Sequence, residues 1–554
     1  MAKRTKSPLD IARASYQPKL PMALKGAVAV KEGKATESVD NQNEIKALFP
    51  NTYGMPVLEF VKGEDKANQA LNIGVILSGG QAPGGHNVMS GLFDGLKSIH
   101  PDSKLYGFLG GPGGLVDHKY QELTADIIDE FRNTGGFDII GSGRTKLEET
   151  EQFDKGVVIC KKLGLTAIVI IGGDDSNTNA CILAEYYAKN NTGIQVIGCP
   201  KTIDGDLKND MIEVSFGFDT ACKVYSELIG NIQRDANSAK KYWHFIRLMG
   251  RSASHITLEC GLQTQPNVCV ISEEVEAKNQ TLSDVVNTIA DSIVTRGNAG
   301  LNFGTVLIPE GLLEFIPEVK GLIAELNDLL AHNEAEFKAL KLDKEQHAYV
   351  LSKLSAGNSK IFASLPLFIA KQLTLDRDSH GNVQVSLIET EKMLIDMVKT
   401  RLEELKSAGK YTGKFGSLGH FFGYEGRCAS PSNFDADYCY SLGYNASLLI
   451  NAGKTGYMSI VRHAYLPTEQ WISGGVPITS MMNMERRHGK MVPVIQKALV
   501  RLDGAPFKYF ESVRKEWASA NPNYVYPGPI QYFGPTEVCD LRNQTLKLET
   551  EAKK

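Results

Sequence analysis

The sequence predicts an α/β protein: two Rossmann-like three-layer α/β domains with parallel-rich sheets, a helical insertion and an N-terminal extension. Three observations predict this class. Apolar, β-branched runs such as Ile168-Val169-Ile170-Ile171 end in glycines, as buried parallel strands do where backbone must approach a ligand closely. Such runs alternate with segments of helical length, the signature of a parallel sheet. The chain has 554 residues, 42% hydrophobic and 22% charged, which is enough to fill more than one core.

The elements follow in chain order. Residues 1–70 mix Lys, Ala, Asn and Pro without firm periodicity and read as an extension capping the main body. Alternation starts at residues 71–77 and continues through 157–171 and 195–198, so 71–211 is expected to form the first α/β domain. A second occupies 212–310, with strands at 243–248, 267–271 and 304–308. From 311 to 410 Leu, Ala, Glu and Lys dominate at helical spacing, as an insertion of helices would require; 411–554 is expected to pack on both α/β domains. No internal repeat or low-complexity tract interrupts this order.

Composition narrows the function classes. A net charge of -4 and a pI near 6.3 leave no electrostatic footprint for nucleic acid or an anionic membrane, so any anion must be held by local arrangement. Nine cysteines without a C-x-x-C pair fit reduced thiols better than a disulfide framework. No signal-peptide core follows the basic N-terminus, and no run is long enough to span a bilayer; a cytoplasmic location is expected.

Three motifs carry chemistry. Ser78-Gly79-Gly80-Gln81-Ala82-Pro83-Gly84-Gly85 follows the first strand, where glycine backbone can cradle phosphate at a helix N-terminus. It is neither a Walker loop nor a dinucleotide fingerprint, and a plain tight turn explains it equally well. Gly172-Gly173-Asp174-Asp175-Ser176 offers Asp174 as a Mg²⁺ ligand sharing its ion with substrate phosphates, while Asp175 or Ser176 also reads as a helix N-cap. Pro200-Lys201-Thr202-Ile203-Asp204-Gly205-Asp206 offers a carboxylate to take a proton from an attacking hydroxyl and a lysine to neutralise a transferring phosphoryl group. Asp-Gly is otherwise a common turn pair; the weight of the motif lies in its place one strand after the second. Ligands of open α/β sheets bind beyond the carboxyl ends of the strands, so Asp174, Asp175, Asp204 and Asp206 should converge on one polar site.

With Met249-Gly250-Arg251 and Ile308-Pro309-Glu310-Gly311, these motifs stand in the order seen in phosphofructokinases, and the chain resembles the long, pyrophosphate-dependent form of that family. His420-Phe421-Phe422-Gly423-Tyr424-Glu425-Gly426-Arg427 and Glu485-Arg486-Arg487-His488-Gly489-Lys490 extend the resemblance from about residue 70 almost to the end. It implies phosphoryl transfer from pyrophosphate to the C1 hydroxyl of fructose 6-phosphate, with 71–211 as donor domain and 212–310 as sugar-phosphate domain. Gly80 and Arg144 would contact pyrophosphate, Asp174 would bind Mg²⁺, and Asp204 would be the base. Thr202, Ile203 and Asp206 share the loop of Asp204. Met249, Gly250, Arg251, Glu310, Tyr424, Glu425, Gly426 and Arg427 would form the sugar-phosphate pocket, although Arg251 also reads as an ion-pair partner and Glu310 as a cap. Lys241 and Tyr242 align with positions that reach a neighbouring subunit, which implies a homodimer or larger homo-oligomer.

ATP-using members carry Gly at the positions of Asp175 and Lys201. A side chain at 175 would fill the space of a nucleotide α-phosphate and repel it, so pyrophosphate is the expected donor and ATP the alternative. A catalytically silent regulatory subunit and a sugar-phosphate sensor without turnover are rivals of other classes. The presence of Asp174, Lys201 and Asp204 argues against both.

Overall fold

The wholly buried run Ala167–Gly172 forms an inner strand of a nine-stranded sheet. The computed structural model describes residues 8–64, 67–374, 383, 387–487, 490–519 and 542–553. Its chain divides into two compact units, one of residues 1–224, 424–498 and 531–554, the other of 225–423 and 499–530.

In the first unit the sheet runs, edge to edge, Val28–Ala35, Pro56–Lys62, Ile472–Pro477, Tyr457–Arg462, Gln195–Pro200, Ala167–Gly172, Asn72–Leu77, Lys104–Phe108 and Tyr120–Glu122. The five strands from Tyr457–Arg462 to Lys104–Phe108 pair in parallel, and the strands beyond them pair antiparallel. The central strands are almost fully buried, as expected of a sheet covered on both faces. Helices Gly85–Ile99 and Asn433–Asn451 cross so closely that a Cβ at Gly91 or Gly443 would meet a backbone carbonyl oxygen, of Tyr440 at 2.0 Å or of Val88 at 1.9 Å. That contact fixes the helix whose N-cap, Gly84, lies in the first glycine-rich turn.

The N-terminal segment supplies two strands of this sheet, Val28–Ala35 and Pro56–Lys62, paired antiparallel. An antiparallel hairpin, Met482–Arg487 with Lys490–Ile495, completes the unit's strands among the described residues. The His488 and Gly489 of the Glu485-to-Lys490 motif lie outside those residues.

In the second unit Ser417–Phe422, Tyr242–Leu248, Phe303–Pro309 and Val268–Cys269 form an all-parallel sheet. The strand expected over 267–271 is only two residues long, because Ile271 already caps helix Ser272–Ala277. After Phe303–Pro309 come helices that include Pro317–His332, Asp343–Lys353, Ala356–Ser364 and Thr390–Ser407. Their apolar faces share one core with Trp243, Phe245, Val306 and Ile308 of the sheet. The architecture is the α/β class expected, with parallel-rich sheets and a run of helices after residue 311. Among the described residues no helix is long and apolar enough to cross a membrane, and the eight cysteines described are all free.

Candidate active site

In the first unit the ends of three neighbouring parallel strands coincide. Leu77 pairs with Ile171 and Gly172 with Pro200, so residues 78–80, 173–176 and 201–206 emerge side by side at the carboxyl edge. The turns are held by backbone and amide contacts. Ser78 N–H donates to Ile171 O (2.8 Å) and Gly79 N–H to Gly143 O (2.9 Å), with Gly79 at φ 82°, a value costly for any residue with a side chain. The second bond also fixes the loop that carries Arg144. The Asn177 amide donates to the carbonyls of Gly172 (2.6 Å) and Gly173 (2.9 Å), clamping the second turn.

Helix Asp174–Lys189 begins with Gly173 as N-cap, and no side chain caps it. Neither Asp175 nor Ser176 is therefore the cap that the sequence allowed. Asp174 and Asp175 stand in the first turn, where the helix dipole favours negative charge, and Ser176 Oγ donates to Ser78 Oγ at 2.8 Å. Asp175 is exposed.

Cations gather around Gly80. The buried Lys201 donates from Nζ to the Gly80 carbonyl at 2.6 Å. A Cβ on Gly80 would lie 3.1 Å from Arg427 Nη1 and 3.8 Å from Arg144 Nη2, and Arg427 Nη1 also donates to Gln81 O (3.2 Å). Lysine in a loop is ordinarily solvated; here burial pushes the Lys201 ammonium down to about 8, helped by Arg427 and opposed by Asp204, Asp174 and Asp206.

The carboxylates lie in the adjoining turns. Thr202 Oγ1 donates to Asp206 Oδ1 (3.1 Å) and accepts from Asp204 N–H (3.0 Å), which fixes the loop that Gly205 bends with φ 75°. Asp204 Oδ1 and Asp174 Oδ2 are buried without a hydrogen-bond partner. Burial holds the Asp174 carboxyl above the usual carboxylate range; Lys497 opposes this, and Asp175 and Asp206 add to it. Lys497 Nζ lies 3.5 Å from Asp174 Oδ2 and 3.8 Å from Asp206 Oδ2. Among the described residues no group of three or more His, Cys, Asp or Glu is arranged to hold a metal ion. Asp174 Oδ2, buried with an ion-pair partner but no hydrogen bond, instead fits the mode in which Mg²⁺ takes one carboxylate and fills its shell with water and substrate phosphate.

Of the other expected residues in this unit, Ile203 is 1% exposed and belongs to the core, so its side chain supports the loop from behind. Tyr424–Gly426 is a short 3₁₀ turn that leaves the Tyr424 ring exposed, with the Arg427 guanidinium 6.0 Å from its centre. Sequence reasoning missed Lys497. No local pattern marks it, and only the fold brings it to Asp174 and Asp206.

In the second unit the ends of Tyr242–Leu248 and Phe303–Pro309 coincide, Leu248 pairing with Pro309. Met249 N–H donates to Phe422 O (3.3 Å) and Glu310 N–H to Leu248 O (2.9 Å). A Cβ at Gly311 would fall 1.9 Å from the Arg251 carbonyl oxygen, so the turns carrying residues 249–251 and Glu310 touch. Met249 and Glu310 are buried and Arg251 is exposed, with Gly250 at φ 118°. Lys241 and Tyr242, both exposed, lie at the amino end of the same strand, about 23–26 Å of extended chain from Met249. The structure does not bring them to that cluster.

A parallel sheet whose strand ends set lysine and two arginines about a glycine turn, with carboxylates in the adjoining turns, belongs to the class of α/β proteins built to receive a phosphorylated ligand. The phosphofructokinase family model matches residues 72–359, and the chain belongs to that family. It is 64% identical over 545 residues to a pyrophosphate–fructose 6-phosphate 1-phosphotransferase of Porphyromonas gingivalis, covering 98% of this chain and 99% of the relative. It is 54% identical over 553 residues to the Treponema pallidum protein of the same name, covering 98% of this chain and 96% of that one. The crystal structure of a pyrophosphate-dependent phosphofructokinase from Marinobacter aquaeolei shares the fold, with a TM-score of 0.51 and 16% identity over 86% of this chain and 97% of the other. The family resemblance read from the ordered motifs is borne out.

Proposed function

We propose that this chain reversibly transfers a phosphoryl group from pyrophosphate to the C1 hydroxyl of fructose 6-phosphate, yielding fructose 1,6-bisphosphate and phosphate. The observation that carries the reading is the buried Lys201 on the Gly80 carbonyl, with Arg427 and Arg144 beside the same glycine. That arrangement suits a compact polyanion, and relatives at 64% and 54% identity bear the name of this reaction.

Asp204 acts as general base: its carboxylate takes the C1 hydroxyl proton as that oxygen attacks phosphorus, and phosphate leaves. Thr202 anchors the loop and so keeps Asp204 in register with Asp206. Lys201, Arg427 and Arg144 neutralise charge on the phosphoryl group and on the departing phosphate. Exposed Asp175 excludes a longer nucleotide donor by bulk and like charge. Met249, Gly250, Arg251 and Glu310 are assigned to fructose 6-phosphate, as are Tyr424, Glu425 and Gly426. Asp174 would hold Mg²⁺, which when bound supplies charge neutralisation on phosphate oxygens. We also assign Lys241 and Tyr242 to a neighbouring subunit's site, which makes the working form a homodimer or larger homo-oligomer, and we place the protein in the cytoplasm.

The test is turnover of fructose 6-phosphate by purified protein with Mg²⁺ and either pyrophosphate or ATP. Activity with pyrophosphate alone is the expected result. Activity with ATP alone would refute the roles of Asp175 and Lys201, and no activity with either donor would favour a silent regulatory subunit.

A further inference from the structure

Lys497 follows the strand Lys490–Ile495 on a backbone pinned at both sides. Gln496 N–H donates to Met481 O (2.9 Å) and Ala498 N–H to Asp206 O (2.7 Å). Its ammonium lies beside both Asp174 and Asp206, 3.5 and 3.8 Å from their Oδ2 atoms. The carboxylates are 19% and 7% exposed and the lysine 30%, so the acids are held in protein while the cation retains access to solvent. Asp174 is also the residue that fits a divalent cation. Mg²⁺ needs a carboxylate oxygen at about 2.0–2.1 Å, and an ammonium 3.5 Å from that oxygen repels it. A lysine is a mobile point charge on a flexible stem and gains a new partner once a polyanion is bound.

We propose that Lys497 neutralises the Asp174–Asp206 pair in the ligand-free protein and moves to the oxygens of bound pyrophosphate, so that a divalent cation binds well with pyrophosphate and poorly without it. The inference rests on the pyrophosphate reading above and adds to it a positioning residue that sets the coupling between metal and donor. Because such coupling is reciprocal, pyrophosphate must bind more weakly in the absence of metal by the same factor. Pyrophosphate oxygens that ligate the metal give some coupling by themselves, so a lysine serving only as a structural tie would leave the coupling unchanged when it is replaced.

The test uses the full-length protein without fructose 6-phosphate, Mn²⁺ as probe, and equilibrium dialysis at buffered free Mn²⁺ with and without pyrophosphate. The wild type is expected to bind Mn²⁺ at least about fivefold more tightly when pyrophosphate is present. Lys497→Met is expected to bind Mn²⁺ more tightly than wild type without pyrophosphate and so to show a smaller coupling, the remainder being what the pyrophosphate oxygens supply as ligands. Lys497→Arg should retain the coupling, and Asp174→Asn should bind Mn²⁺ far more weakly in both conditions. A folded Lys497→Met whose metal-only affinity equals or falls below wild type, or whose coupling is intact, overturns the proposal. Should that variant not fold, Lys497→Gln is read by the same criteria. With no acceptor present the result is independent of turnover. A wild type that couples Mn²⁺ to pyrophosphate but never phosphorylates the sugar would sink the proposed function and leave this inference standing.

Discussion

Replacing Lys201 with methionine should make the protein more stable and less active at once. In the folded chain the ammonium is buried and held down to about 8, against an ordinary 10.5. That gap corresponds to about 3 kcal/mol of disfavoured charging. The sign follows from proton counts: between pH 8 and 10.5 the unfolded chain binds the proton and the folded chain does not, so stability rises with pH across that window. Below pH 8 the penalty is present in full, and above 10.5 it is gone. Methionine removes the penalty but leaves the Gly80 carbonyl without its 2.6 Å donor, a loss of about 1–3 kcal/mol. The net gain expected from urea unfolding at pH 7 is thus about 1 kcal/mol, shrinking to nothing and then reversing as the pH passes about 9. Activity should move the other way. A lost charge-assisted hydrogen bond to phosphate is worth about 1.5–3 kcal/mol, or about 10–150-fold in kcat/KM for pyrophosphate. In the wild type the same parameter should fall as the pH rises through about 8, where Lys201 gives up its charge. A Lys201→Met protein less stable than wild type at pH 7 and unimpaired in pyrophosphate turnover would refute the reasoning.

Other outcomes follow from the same geometry. Asp175→Gly with Lys201→Gly should raise ATP use and depress pyrophosphate use in donor-competition assays; an unchanged preference counts against both assignments. Gly80→Ala places a Cβ 3.1 Å from Arg427 Nη1, a flexible group able to shift, so the fold should survive while the KM for pyrophosphate rises about tenfold and that for fructose 6-phosphate stays constant. Gly443→Ala places a Cβ 1.9 Å from the Val88 carbonyl oxygen, with backbone on both sides, and should cost about 3 kcal/mol or more in thermal or urea unfolding. Removal of divalent metal with EDTA should abolish turnover and Mg²⁺ should restore it, with Asp174→Asn requiring far more Mg²⁺ than wild type.

The parts of this molecule legible in sequence are those where local physics and fold agree. Ala167–Gly172 and Gln195–Pro200 read as strands because each is a largely apolar run, and the structure buries all but Gln195 on both faces. The motifs that follow them could be placed at strand ends for the same reason. Val28–Ala35 does not read as a strand, since its exposed residues carry no apolar alternation and it pairs only at the edge of the sheet. Over 267–271 the strand is shorter than the sequence suggests, because an apolar stretch does not reveal where the next helix takes its cap. The junction between the two units lies within helix Phe218–Ala239, whose periodicity runs straight through it. Asp174, Lys201, Asp204 and Asp206 were named from their motifs, whereas the burial of Lys201 and the approach of Lys497 depend on contacts between distant segments.

The most direct measurement of the central claim is kcat for Asp204→Asn with saturating pyrophosphate, fructose 6-phosphate and Mg²⁺, together with its pyrophosphate affinity by calorimetry. If Asp204 is the base, kcat falls by about 10²–10⁴-fold while pyrophosphate binds as in wild type. A kcat within about threefold of wild type, with binding intact, would contradict the account, because the proton of the attacking hydroxyl would then be taken elsewhere.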